Sequence, residues 1–193
     1  LLPNRPARVI GHSLGGAVAL MLSGVRPQRL RWLVDMEGFG MPHLDPSQVP
    51  ERIASWLDAL RDTGLQKGYP SLAAVASTLC ERNPHMPLAH AQYLARIWTR
   101  DAAGGGVQLL ADELHRLPSP IRYSREDMEA CWARVRHPVL MIYASGSGHM
   151  QRAGGEAVRQ HWQNVVRGLQ FAEVRDAGHL LPYEQPRQTA QHI

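Results

Sequence analysis

Residues Gly11-His12-Ser13-Leu14-Gly15-Gly16 set a serine between glycines two places to either side, the spacing of a nucleophile turn. A serine at that spacing stands on a tight strand-to-helix bend with its hydroxyl exposed. The crowded backbone there asks for small neighbours. A helix that starts at the bend directs its free N–H groups and the positive end of its dipole toward developing negative charge. Three fixed positions of common residues recur by chance roughly 0.06 times in a chain of this length, so the flanks must add weight. Val9-Ile10 before the bend reads as a strand, and Ala17-Val18-Ala19-Leu20-Met21-Leu22 after it as a buried helix that Pro27 ends. The plainer reading is a glycine-rich β–α turn with a bystander serine. The combined context favours the nucleophile.

Such a serine has to be positioned by the elements around it. Leu30-Arg31-Trp32-Leu33-Val34-Asp35-Met36 reads as a buried strand whose end is acidic, Asp35 to Glu37, and Gly38-Phe39-Gly40 breaks it. Strand, turn, helix and strand make a βαβ unit, and parallel sheets bind ligands at the carboxyl ends of their strands. Ser13 and the acidic cluster both fall there. From residue 42 to about 123 the spacing turns helical. Ile53, Trp56, Leu57 and Leu60 form one stripe, Leu72, Val75, Ala76 and Leu79 a second, and Leu94, Ile97 and Trp98 mark a short third helix. Gly104-Gly105-Gly106 reads as a flexible turn without phosphate-loop spacing. Met128, Cys131, Trp132 and Val135 form another stripe. The strand Val139-Leu140-Met141-Ile142-Tyr143 follows, then a helix burying Val158, Trp162, Val165 and Val166, and a last strand from Leu169 to Val174.

Composition narrows the classes. The 193 residues suit one ordinary domain, with 44% hydrophobic and 20% charged residues, which are globular values. The net charge of +4 comes from scattered arginines, Lys67 being the only lysine, so no nucleic-acid face is expected. Cys80 and Cys131 lack metal or redox spacing and read as buried thiols. His85 and His90 are five apart, off the one-turn spacing of a helical metal pair. The expectation is no metal and no cofactor. Neither a leader nor an apolar run long enough to span a bilayer stands out, so the expected location is the cytoplasm.

Gly11-His12-Ser13-Leu14-Gly15-Gly16 resembles the elbow of the α/β-hydrolase superfamily. Asp176-Ala177-Gly178-His179-Leu180-Leu181-Pro182-Tyr183-Glu184-Gln185-Pro186 is similar to the superfamily's loop after the last core strand, where Gly-His precedes Glu-x-Pro. The resemblance implies an α/β fold, a parallel sheet with a helical cap insertion. The core would comprise residues 1–41 and 124–193 and the cap residues 42–123, the chain lacking the strands that normally precede the elbow. It implies Ser13 as nucleophile, His179 as general base and the Leu14 N–H as one oxyanion donor, the second donor lying upstream of this chain. A serine hydroxyl needs a base, and an imidazole suits that role. His12, beside the serine, reads as structural.

The acid departs from the pattern. Most relatives carry an aspartate just after the strand that here reads Val139 to Tyr143, where this chain has Ala144-Ser145-Gly146-Ser147-Gly148-His149 and no carboxylate before Glu156. Some carry it one strand earlier, the region of Asp35 and Glu37. Glu37 is the expected acid, with Asp35 its close competitor, and Asp176 stands awkwardly close to His179. The expected activity is cleavage of an ester or related acyl bond in a small molecule through an acyl-serine. Ser13 argues against dehalogenase and epoxide-hydrolase chemistry, which need an aspartate nucleophile. Perhydrolase and carbon–carbon hydrolase chemistry stay open. The alternative class is a non-catalytic relative that keeps the fold and lost the usual acid. Substrate identity and oligomeric state are not readable.

Overall fold

Val9 and Ile10 open the sheet in β1 (Ala7–His12), which pairs in parallel with β2 (Leu30–Met36). β2 pairs in parallel with β5 (Val139–Ala144), and β5 with β6 (Leu169–Val174), giving the order β1-β2-β5-β6. This computed structural model describes residues 5–39, 45–61, 68–112, 114, 117–121 and 123–193. Parallel neighbours need long crossovers. Helix α1 (Leu14–Val25) makes the first, and α6 (His149–Ala153) with α7 (Gly155–Val165) makes the last. Side-chain alternation sorts the core onto two faces of the sheet. Leu33, Val139, Met141 and Leu169 pack with Leu20 of α1, Trp132 of α5 (Arg125–Trp132) and Trp162 of α7. Val34, Met36, Ile142 and Val174 pack on the other side with Ala177 and with Leu181 of α8 (Leu181–Glu184). The chain ends in α9 (Pro186–Gln191).

Contacts divide the chain into two compact units, Leu1–His43 with Tyr123–Ile193, and Leu44–Arg122. The second unit holds α2 (Val49–Arg61), α3 (Leu72–Arg82) and α4 (Leu88–Ile97). Ser71 caps α3 by accepting the Ala74 N–H at 3.2 Å. Val75 and Ala76 of α3 and Ala91, Leu94 and Ala95 of α4 are buried. The stripe on α2 behaves differently: no residue of that helix is buried, and Leu57 keeps 47% of its surface exposed. Its periodicity shaped a helix without covering one face. Gly104-Gly105-Gly106 is the bend between two short antiparallel strands, β3 (Thr99–Asp101) and β4 (Val107–Leu109), which three-residue runs could not announce in sequence. Val135 is buried but lies past the end of α5. Cys80 and Cys131 are free and half-buried rather than buried. Among the described residues, no helix is long and apolar enough to cross a membrane.

Gly24 records how closely α1 approaches α5. A Cβ there would stand 1.9 Å from the backbone oxygen of Cys131, which cannot swing aside as a side chain would. Gly24→Ala is therefore expected to destabilise the fold by about 1–3 kcal/mol, the usual cost of overpacking. Gly104→Ala, with open space around it, is the control expected to leave the urea midpoint unchanged.

Candidate active site

Among the described residues, three that are not glycine adopt left-handed backbone angles, and each follows the carboxyl end of a sheet strand: Ser13 (φ 54°) after β1, Glu37 (φ 58°) after β2 and Asp176 (φ 52°) after β6. Such angles cost on the order of 1–3 kcal/mol each and persist only where the surroundings enforce them. At Ser13 the enforcement is visible. Its N–H donates to Met36 O at 2.8 Å, and its carbonyl accepts the Ala17 N–H at 3.1 Å. A Cβ on Gly11 would meet Gly16 Cα at 2.6 Å, and one on Gly16 would meet Asp35 Oδ1 at 2.0 Å. The space beside Gly15 is open, so crowding demands glycine at 11 and 16 rather than at both positions flanking the serine.

The turn delivers Ser13 Oγ to 2.8 Å from His179 Nε2. His179 Nδ1 lies 3.3 Å from Glu37 Oε2. The Gly178-His179 segment is held from two sides. Glu184, 2% exposed, accepts the Gly178 N–H at 2.5 Å through Oε2, and His12 Nε2–H donates to the His179 carbonyl at 2.6 Å. Burial, partly opposed by that hydrogen bond, lowers the His12 pKa. His12 is thus an anchor for the loop, the structural part expected of it. Leu14 is the first residue of α1, where backbone N–H groups have no acceptor within the helix. The sequence-derived set Ser13, Leu14, Glu37 and His179 is brought together, and Asp35 is not.

This constellation sits at the carboxyl ends of a parallel sheet, with the Ser13 turn first and the His179 loop last. The alpha/beta hydrolase family profile matches residues 2–192. The chain belongs to the alpha/beta hydrolase family. No curated protein sequence matches it. Among solved structures, a hypothetical protein of Pseudomonas aeruginosa superposes with a TM-score of 0.80 at 19% identity, over 97% of this chain and 64% of that one. The thioesterase domain of the curacin biosynthetic pathway gives 0.77 at 21% identity, over 98% and 66%. An esterase of Mycobacterium tuberculosis gives 0.64 at 16%, over 95% and 57%. At these identities the likeness carries the fold. The chain spans about two-thirds of the length of the first of these proteins.

Within this alpha/beta hydrolase the carboxylate near His179 comes from β2 yet is held by the end of β5. The Glu37 N–H donates to Ile142 O at 2.9 Å. Glu37 Oε1 accepts the Ala144 N–H at 2.8 Å and the Ser147 hydroxyl at 3.0 Å. Ser147, part of the segment in which the sequence shows no carboxylate, is a positioning residue for the carboxylate that comes from β2. A second histidine was missed: His149 Nδ1 lies 3.0 Å from Glu37 Oε2, and burial, opposed by the Glu37 charge, lowers its pKa. Its sole sequence signal was its place in the loop where an acid was sought.

Asp35 lies inside the sheet face beneath the turn, fully buried, its Oδ1 accepting the Gly38 N–H at 2.9 Å. Oδ2 has no partner among the described residues. Desolvation, only partly offset by the Gly38 hydrogen bond, raises its pKa from 3.8 to about 7. The folded chain thus retains a proton that the unfolded chain has lost above about pH 4, so this contribution to stability falls as pH rises from about 4 to about 7. Wild type is expected to lose stability relative to Asp35→Asn across that window in urea unfolding series. A difference that stays level from pH 4.5 to 8 would mean the carboxyl titrates normally.

Proposed function

We propose that this chain carries the reacting groups of a serine hydrolase that cleaves an ester or related acyl bond of a small molecule. The observation that carries the reading is the continuous polar chain Ser13 Oγ–His179 Nε2, His179 Nδ1–Glu37 Oε2, at 2.8 and 3.3 Å. In it, His179 Nε2 takes the serine proton as Oγ attacks the acyl carbon. The Leu14 N–H meets the negative charge that develops on the carbonyl oxygen, a contact worth about 3 kcal/mol in the transition state. The imidazolium then gives its proton to the leaving group, and an acyl-serine remains. Water attacks that ester while His179 takes one of its protons, and Ser13 Oγ leaves with the proton returned. Glu37 holds the ring with Nδ1–H inward and balances the imidazolium charge, as an orienting acid does.

The second oxyanion donor is assigned to a segment ahead of β1, and residues 42–123 to the role of cap; both assignments rest on the family resemblance. The non-catalytic alternative drew its motive from the missing carboxylate after β5. Glu37 bonds to that loop from β2, which removes the motive. The thioesterase and esterase named above act on acyl bonds, which supports the same reaction class.

In the full-length protein, a fluorophosphonate probe is expected to label Ser13. Ser13→Ala should abolish labelling, and His179→Ala should nearly do so. Glu37→Gln should lower the hydrolysis rate of an activated ester about 10²–10⁴-fold with the fold intact. Unchanged labelling of Ser13→Ala would defeat the mechanism. A fully active Glu37→Gln beside a dead Asp35→Asn would move the acid two residues back.

A further inference from the structure

The proposed mechanism uses one oxygen and one imidazole where the structure gathers more. Glu37 Oε2 has His149 Nδ1 at 3.0 Å and His179 Nδ1 at 3.3 Å. The two rings stand with centroids 4.5 Å apart, and one donor atom from each of the three residues lies within 4.8 Å of the others. With a proton on its Nδ1, His179 donates a hydrogen bond to the carboxylate, while His149 Nδ1 stands beside the same oxygen. With the Nδ1 protons moved to the Nε2 atoms, two imidazole nitrogens with free lone pairs stand beside one carboxylate oxygen. Zinc bonds of about 2.0–2.2 Å in a tetrahedron put neighbouring donors ~3.4 Å apart. Two of the three donor separations are already close to that length.

The rest of the surroundings suits an ion. Glu37 Oε1 is occupied by Ala144 N–H and Ser147 O–H, which leaves Oε2 for a ligand and holds its direction. The Glu37 side chain is closed to solvent, while those of His149 and His179 are 36% and 33% exposed, so the histidines offer a way in. Two histidines and one carboxylate with a fourth position open is a donor set that zinc takes, and imidazole suits the neighbouring transition metals too.

We propose that a divalent transition-metal ion, zinc above all, binds Glu37 Oε2, His149 Nδ1 and His179 Nδ1 and reversibly switches the hydrolase off. The consequence for activity rests on the hydrolase reading of Ser13 and His179; the binding does not. The switch works through the tautomer. A neutral imidazole carries one proton, and a metal on Nδ1 confines it to Nε2. The nitrogen 2.8 Å from Ser13 Oγ then donates a hydrogen bond and cannot accept the serine proton. Each proton moves from Nδ1 to Nε2 through water, none is lost from the neutral rings, and no electron is transferred.

The test uses full-length protein freed of metal with a chelator. Cobalt(II), added as a spectroscopic substitute for zinc, reports coordination by its visible absorption, and zinc titration is followed by calorimetry and by fluorophosphonate labelling. Wild type should take one inhibiting ion per chain, and chelator should restore labelling. Ser13→Ala, which keeps every ligand, should bind cobalt as wild type does. His149→Ala and the gentler His149→Gln should weaken binding at least about tenfold, and zinc should spare more of each variant's own metal-free labelling. Binding that is absent from wild type, or unchanged in both well-folded His149 variants, overturns the proposal. Metal binding by an unlabelled wild type would keep the site and discard the hydrolase instead.

Discussion

A carboxylate withdrawn from water has to be met by donors, and Glu37 meets that demand with groups from two separate parts of the chain. It is 5% exposed. One oxygen takes the backbone of Ala144 and the hydroxyl of Ser147; the other faces His149 and His179. An ionised carboxylate left there without partners would cost several kcal/mol. The need to satisfy it therefore ties the end of β2 to the loop after β5 and to the loop after β6. The same bonds aim Oε2 at the histidine that faces Ser13.

The backbone is shaped to allow this. Glu37 leaves β2 with φ 58°, so its side chain departs from the alternation that sends Asp35 under the turn. Gly38 follows because nothing larger fits: a Cβ there would meet Asp35 Oδ1 at 2.3 Å and Ser13 O at 2.6 Å. The buried Asp35, the closely packed Gly16 and Gly38 and the strained serine are thus one packed unit. Strain at Ser13 is held by the bond of its N–H to Met36 O, the residue just before Glu37. Ser13 and Glu37 are positioned by the same few atoms.

On the other side, the His179 loop is fixed by polar bonds as well as by the apolar packing of Ala177 and Leu181. Glu184 accepts from Gly178, and His12 donates to the His179 carbonyl. His12 also lies in the turn that carries Ser13, so the two loops share a direct bond across 167 residues of sequence. That bond makes the spacing between serine and histidine a property of the assembled sheet.

Local chemistry was legible from residues alone. The spacing Gly11-x-Ser13-x-Gly15 announced a tight turn, though packing requires glycine at 11 and 16 and leaves open space at 15, and the apolar periodicity around it announced strand and helix. The runs Leu30–Met36 and Leu169–Val174 became strands at those bounds, because short runs rich in apolar residues and flanked by turn residues suit a buried parallel sheet. The loop around His179 was read from its resemblance to the family's Gly-His motif. Tertiary structure alone decided which carboxylate turns to the histidine. Asp35 and Glu37 are two residues apart on one strand, and pattern reading puts them on one face; a single left-handed residue separates them. It alone made Ser147 a holder of the carboxylate and brought His149 beside it, since hydrogen bonds between residues 110 and more apart leave no periodicity to read. It also left α2's stripe uncovered, because a helical pattern specifies a face and only packing supplies what lies against it.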